Sequence, residues 1–182
     1  IEKCPSRKVP DIHNENLGNA RAINIPFPQA IPKKAVINRD YCLHFTKGKC
    51  GVCKKVCPVG AVSYDQQDEI VTEEVGAIIV ATGFDLFDHS KYGEYGGGRY
   101  PDVISGLQYE RILSAAGPYG GHIRRPSDGK EPKDIVFVAC VGSRDISVDR
   151  PYCSGVCCMY IAKQAILTKD HLPESNSFVF YM

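Results

Sequence analysis

The sequence predicts an α/β fold, α+β taken as a whole, in which a small cysteine-held module precedes a parallel strand–helix–strand unit. Three observations carry that prediction. Cys42, Cys50, Cys53 and Cys57 crowd into a tract too short to fold on an apolar core. A second set, Cys140, Cys153, Cys157 and Cys158, straddles the junction of an apolar run and a helical pattern. The last third of the chain reads strand, helix, strand. Composition agrees with a globular protein: 182 residues, 43% hydrophobic and 24% charged. The formal charge of +1 argues against a nucleic-acid binder that works by neutralising phosphates. No apolar run approaches the roughly 20 residues that a membrane span needs, and Ile1–Pro5 lacks the apolar region of a secretion signal. Nine cysteines cannot all pair in disulfides, and their grouping points to metal sites in a reducing, cytoplasmic compartment. The missing initiator Met and a terminal apolar strand ending at Met182 suggest a piece of a longer polypeptide.

Taken in order, residues 1–36 are Pro- and Asn-rich. Pro26, Pro28 and Pro32 exclude a helix there and favour an extended segment or edge strand. From Ala35 to Tyr64 the chain is cysteine-dense and lysine-rich, and a metal would supply the stability that a core does not. Ile78-Ile79-Val80, ended by Ala81-Thr82-Gly83, predicts a strand buried on both faces. Residues 84–101 read as loop. Ser105 to Ala116 has helical spacing and stops at Gly117-Pro118, and 120–133 is a Pro/Gly-punctuated connection. Ile135–Val141 predicts a buried strand. Residues 155–170 predict a helix packed through Val156, Tyr160, Ala162, Ala165, Ile166 and Leu167, and 177–182 a second strand. A strand–helix–strand order implies a parallel sheet with a right-handed crossover.

The sharpest chemical signal is Cys50-Gly51-Val52-Cys53-Lys54-Lys55-Val56-Cys57-Pro58. C-x2-C-x3-C-P is the tail of the bacterial ferredoxin run, whose thiolates hold an iron–sulfur cluster. Two cysteines two residues apart can grip neighbouring irons from one turn, and Val59-Gly60-Ala61-Val62 then leads into a short strand. Cys42 precedes Cys50 by eight positions where three is usual, so Leu43–Lys49 must loop out. Four cysteines also suit structural zinc, although zinc knuckles more often pair two C-x2-C turns. In two-cluster ferredoxins the fourth cysteine of a run serves the other cluster. Cys4-Pro5 would then close an earlier run, and Cys4, Cys42, Cys50 and Cys53 would hold one [4Fe–4S] cluster. Cys57 would contribute to a third cluster. The alternative keeps Cys57 with Cys42, Cys50 and Cys53 and leaves Cys4 free. Lys47, Lys49, Lys54 and Lys55 flank this site, either as a solvated surface or to raise its potential or dock an acidic partner.

Cys140-x12-Cys153-x3-Cys157-Cys158 is not a ferredoxin spacing. Cys140 ends a strand, and Cys157-Cys158 open a helix at the place where a dinucleotide-binding unit carries G-x-G-x-x-G. Val141-Gly142-Ser143-Arg144-Asp145 holds one glycine, so a pyridine nucleotide is not supported. Four sulfurs can converge there beside helix-terminal amides that stabilise an anionic cluster; buried structural cysteines are the alternative. No Ser/His/Asp set or hydrolytic carboxylate pair stands out, and the five histidines are scattered.

Val80-Ala81-Thr82-Gly83 resembles the returning strand of two-dinucleotide-domain flavoproteins, where the glycine lets the backbone approach FAD. With Ile25-Pro26-Phe27-Pro28-Gln29-Ala30, the Cys42–Pro58 run, Arg125-Pro126-Ser127-Asp128-Gly129 and the C-x12-C-x3-C-C motif, nearly the whole chain resembles the A-subunit family of heterodisulfide reductase. Met159-Tyr160 and Lys163-Gln164-Ala165-Ile166 are also similar to that family. The resemblance implies a ferredoxin-like iron–sulfur module joined to part of a thioredoxin-reductase-like FAD/dinucleotide-binding fold. Residues 1–64 would be the end of an inserted ferredoxin domain, 65–130 the returning segment of the FAD domain, and 131–182 the start of the NADPH-domain-like unit with a cluster in place of the nucleotide. It further implies FAD contacts at Ala81, Thr82 and Gly83 in the full-length protein, and an oxidoreductase subunit that works in flavin-based electron bifurcation. The implied partners are other heterodisulfide-reductase-type subunits, a hydrogenase or formate dehydrogenase module, and ferredoxin as acceptor. Two rival readings are a zinc-stabilised, non-redox binding module and the same subunit type in a quinone-linked or aromatic-ring reductase complex.

Overall fold

Two short antiparallel ladders frame the amino-terminal module. In the computed structural model, which describes residues 1–181, β1 (Val9–Pro10) pairs with β2 (Asn19–Ala20), and β3 (Ile23–Asn24) pairs with β4 (Val36–Ile37). Between β1 and β2 the Asp11 carboxylate accepts the Asn14 N–H at 3.3 Å and closes a single 3-10 turn. Two five-residue helices follow, α1 (Leu43–Lys47), stopped by Gly48 at φ +64°, and α2 (Val52–Val56). Helices that short do not persist on their own propensity. The core beneath them is Val9, Ala22 and Ile23 together with two cysteines, Cys4 and Cys42. So small a core makes the cysteines part of what holds the module together.

From Asp65 to Leu86 every residue is exposed and no regular element forms. This corrects two expectations. No strand follows Val62, and the Ile78-Ile79-Val80 run is extended but not buried, with Ile79 91% exposed. A β-branched run becomes a buried strand only where neighbouring strands take up its backbone hydrogen bonds, and among the described residues no strand pairs with this one. The prolines of 26–32 exclude a helix as expected, but the segment runs through bends and turns rather than an edge strand.

Helix α3 (Gly106–Leu113) begins where its cap dictates. The Ser105 hydroxyl accepts the Gln108 N–H at 3.1 Å, and the Gln108 side chain accepts the Ser105 N–H at 2.9 Å, a reciprocal capping box. Tyr109, Ile112 and Leu113 form its buried stripe, and burying Ile112, 1% exposed, contributes on the order of 2 kcal/mol. Strand β5 (Asp134–Val138) runs parallel to β6 (Asn176–Phe180), joined through α4 (Cys157–His171).

Two further expectations are corrected here. Strand β5 is buried on one side only: Phe137 is covered, while Val136 and Val138 are exposed and pair with the exposed Phe178 and Phe180. The buried stripe of α4 is Cys157, Ile161, Gln164 and Thr168, with Ala165 and Leu167 at its margin; Val156, Ala162 and Ile166 face outward, and Tyr160 is part-exposed with its ring beside Gly106 of α3. Spacing of 4, 3 and 4 is a true helical stripe, but two of its four members are polar and look like surface residues in sequence. They are buried because α3 offers partners to Gln164 Nε2 and Thr168 Oγ1, while Gln164 Oε1 has no hydrogen-bond partner among the described residues. Gln164 Nε2 donates to the Gly106 carbonyl at 2.9 Å, and Tyr109 Oη lies 2.6 Å from Thr168 Oγ1. The modules meet at α3. Arg111 donates to Asn14 Oδ1 at 3.2 and 3.1 Å and to His13 Nε2 at 2.9 Å, and Gln108 donates to the Glu15 carbonyl at 3.1 Å. No described helix is long and apolar enough to cross a membrane.

Candidate metal centres

Cys4, Cys42, Cys50 and Cys53 line one narrow cleft, closed by Ala22, Ile23, Ile37, Leu43, His44 and Tyr64. Each arrives on a different piece of local structure. Cys4 is drawn in by a turn in which its N–H donates to the Ile1 carbonyl, while Arg21 donates to the Cys4 carbonyl at 2.7 Å. Cys42 is the N-cap of α1, Cys50 lies between the helices, and Cys53 sits in α2. Leu43–Lys49, the insertion that lengthens the cysteine spacing, is accommodated as α1 itself with its Gly48 stop. Cys57 does not line the cleft. It caps the carboxyl end of α2, and its Sγ accepts the Ala61 N–H at 3.3 Å. That hydrogen bond first, then the Val59 N–H, holds the Cys57 thiol below its usual range.

Sequence spacing did not single out Tyr64. Its hydroxyl lies 3.0 Å from Cys53 Sγ, and its ring stacks on His44 with centroids 3.8 Å apart and an interplanar angle of 16°. The Cys53 hydrogen bond first, and burial second, push the Tyr64 phenol up to about 12. His44 Nδ1 in turn lies 2.8 Å from the Cys50 carbonyl.

The second set converges at the junction of β5 and α4. Cys140 and Cys157 are buried, Cys153 and Cys158 exposed. Burial alone would raise the Cys157 thiol. The Cys140 backbone and the side chains of Cys158, Ser154 and Cys140 hydrogen-bond to it and bring it below its ordinary value instead. Cys158 moves the other way, raised first by the negative charge of Cys157, with Cys140 and Cys153 adding to it. The loop is braced across by its own polar groups. Buried Ser143 donates to the Tyr152 carbonyl at 3.0 Å and accepts the Ser154 N–H at 2.8 Å, while Gly155 N–H donates to Cys153 Sγ at 3.3 Å. Ser143 and Ser154 leave no signature in the cysteine spacing, so only the fold reveals their part in shaping this loop.

Ala81, Thr82 and Gly83 are exposed, and no atom lies within 4 Å of where a Cβ on Gly83 would sit. They line neither the cysteine cleft nor a wider cleft beside β5. The wider cleft, of about 520 Å³ and walled by Phe87, Tyr95, Ile104, Ile123, Val136 and Tyr160, contains none of the nine cysteines. Among the described residues no three His, Cys, Asp or Glu side chains meet closely enough to hold a single metal ion.

No family model matches the chain. It is 47% identical over 182 residues to the A-subunit of the H(2):CoB-CoM heterodisulfide,ferredoxin reductase of Methanothermobacter marburgensis, an alignment covering 100% of this chain and 27% of that protein. It is 46% identical over 179 residues to the iron-sulfur A-subunit of the CoB--CoM heterodisulfide reductase of Methanocaldococcus jannaschii, covering 98% of this chain and 26% of the relative. With the A-subunit of the H(2)/formate:CoB-CoM heterodisulfide,ferredoxin reductase of Methanococcus maripaludis the identity is 48% over 179 residues, again 98% and 26%. The chain thus spans about a quarter of the length of the curated relatives it matches.

Proposed function

The chain belongs to the A-subunit family of heterodisulfide reductase, and from that premise we propose that it is an electron-transfer segment of an iron–sulfur flavoprotein oxidoreductase working in flavin-based electron bifurcation. The observation that carries the proposal is the sorting of nine cysteines into two sets of four with Cys57 apart. Cys4, Cys42, Cys50 and Cys53 would hold one [4Fe–4S] cluster and Cys140, Cys153, Cys157 and Cys158 a second, with Cys57 left to a third. Both donor sets are entirely thiol, the donors that iron–sulfur clusters take. A single tetrahedral ion gathers its thiolates within about 4 Å of one another, whereas a cubane gives each thiolate its own iron and suits cysteines spread around a cleft. Such clusters would supply one-electron carriers, and FAD in the full-length protein the exchange between electron pairs and single electrons.

The chain's own residues do the rest. Arg21 and the β3–β4 ladder keep Cys4 against Cys42, and α2 turns Cys53 inward while sending Cys57 outward. Ser154 donates to Cys157, and the unpaired N–H groups at the start of α4 favour negative charge beside that set. Ala81-Thr82-Gly83 and the exposed run before it are assigned to a sheet and flavin site that the rest of the longer polypeptide would complete. The proposed partners are sister subunits, a hydrogenase or formate dehydrogenase module, and ferredoxin, in keeping with relatives named for H(2), formate and ferredoxin. Exposed Lys47, Lys49, Lys54 and Lys55 give the first site a basic surface suited to an acidic partner.

Iron, acid-labile sulfide and zinc per chain, measured on anaerobically purified protein, test the reading. About eight irons with matching sulfide are expected. Cys158→Ser should lose about four of them and Cys57→Ser none. Stoichiometric zinc without sulfide would overturn it.

A further inference from the structure

We infer that Tyr64 is a positioning residue for the first cluster: its phenol donates a hydrogen bond to the Cys53 thiolate and sets the reduction potential of the site that Cys4, Cys42, Cys50 and Cys53 would form. The inference rests on the ligand reading above. Tyr64 Oη and Cys53 Sγ are 3.0 Å apart. A cysteine bound to iron has no proton to give, so in the loaded protein the phenol must be the donor and the sulfur the acceptor. The ring that carries the hydroxyl is held by three neighbours. His44 stacks at 3.8 Å, Phe45 meets it edge-on at 5.8 Å, and the Lys54 ammonium stands 5.8 Å from its centroid. His44 is itself anchored, its Nδ1–H donating to the Cys50 carbonyl at 2.8 Å. The two stacked rings are therefore tied to two successive ligands, one through a carbonyl and one through a sulfur.

A donor aimed at a thiolate stabilises the more negative, reduced state more than the oxidised one, because a hydrogen bond to an ionised acceptor strengthens with its charge. In reduction, one electron enters from a chemical reductant, no bond forms or breaks, and the phenol proton stays on Tyr64. The effect is a raised potential for this one site. At the second set the donors to sulfur are different groups, the Ser154 hydroxyl and the Cys140 N–H to Cys157 and the Gly155 N–H to Cys153. The two sites are thus tuned by different groups and can be shifted independently.

The test is a mediated redox titration of the anaerobic full chain with dithionite, followed by the electron paramagnetic resonance signals of the clusters. Tyr64→Phe keeps the stack and removes the donor. It should lower the midpoint of one cluster by about a tenfold change in its one-electron equilibrium, which is about 59 mV, and leave the other unmoved. Incorporating a ring-fluorinated tyrosine at 64, a stronger donor of nearly the same shape, should shift the same signal upward. Full iron content with both midpoints unchanged in Tyr64→Phe would overturn the tuning role while leaving the ligand reading intact. Should Tyr64→Phe instead lose iron, the fluorinated residue decides, and an unmoved midpoint there overturns the role. A Cys53→Ser variant that keeps every iron of the wild type would overturn the ligand reading itself.

Discussion

Cys140 holds a φ of +64°, the left-handed region that side chains other than Gly, Asn and Asp rarely occupy. Such a residue is strained by about 1–3 kcal/mol, and strain of this kind gathers where a side chain must be aimed. Here it lies two residues past β5, where the Cys140 backbone and thiol both meet Cys157. Two residues on, Gly142 has φ +72°, and a Cβ there would fall 2.2 Å from Phe87 Cγ. Gly142→Ala should therefore destabilise by roughly 2 kcal/mol or more and reduce iron at the second set. Gly129→Ala is the control, since Gly129 shares the positive φ, at +71°, with nothing within 4 Å of the added methyl. Its loss should stay near ~1 kcal/mol. Denaturant midpoints of the two variants separate the conformational cost from the clash with Phe87, and equal losses would mean that the ring simply moves aside.

Helix α4 is the element on which sequence reasoning was half right. Its existence and extent are legible from 155–170, because no Gly or Pro interrupts Val156 to Leu172 while Gly155 and Pro173 bracket it. Its orientation is not, because Gln164 and Thr168 turn inward only when α3 offers a carbonyl and a phenol to meet them. Thr168 donates to the Gln164 carbonyl at 2.7 Å, so it accepts from Tyr109. Thr168→Val would leave the Tyr109 hydroxyl buried without an acceptor, and about 1–3 kcal/mol of stability should be lost. In a Tyr109→Phe background the same substitution should cost much less. A double-mutant cycle by thermal or urea unfolding measures the difference, and additive losses would show that the pair does not interact.

At the scale of the whole molecule, the joint between the modules is a polar one. Arg111 reaches across from α3 to Asn14 and His13, and His13 stacks on Phe27 at 5.2 Å. Burial first and the Arg111 charge second hold the His13 imidazole below 6.5, against a smaller upward pull from Asp11. A base whose pKa falls on folding binds its proton more tightly in the unfolded chain. This contribution is therefore present above about pH 6.5 and lost as pH falls through the folded value. The wild type should lose more stability between pH 7.5 and 5.5 than His13→Gln, whose side chain cannot titrate. Parallel pH profiles of unfolding midpoints check this, and superimposable slopes would remove His13 from the joint. The same scale shows where the chain is incomplete as a surface. Val136, Val138, Phe178 and Phe180 form one exposed apolar face of a two-stranded parallel pair, whereas parallel sheets are ordinarily covered on both faces.

The sequence by itself determined where the candidate donors lie along the chain. Cysteine spacing is a local property, and C-x2-C-x3-C-P and C-x12-C-x3-C-C are legible wherever they occur. It also determined the parallel strand–helix–strand unit, whose periods of 2 and 3.6 residues are written along the chain. The ferredoxin spacing offered Cys4 or Cys57 as the fourth member of the first set, and the tertiary structure puts Cys4 in the cleft and Cys57 outside it, through a ladder and a helix end far apart in sequence. It alone placed Tyr64 on Cys53, and it alone left Ile78–Val80 bare. Contacts of those kinds depend on which surfaces the folded chain brings together, and a residue's neighbours along the backbone carry no record of them.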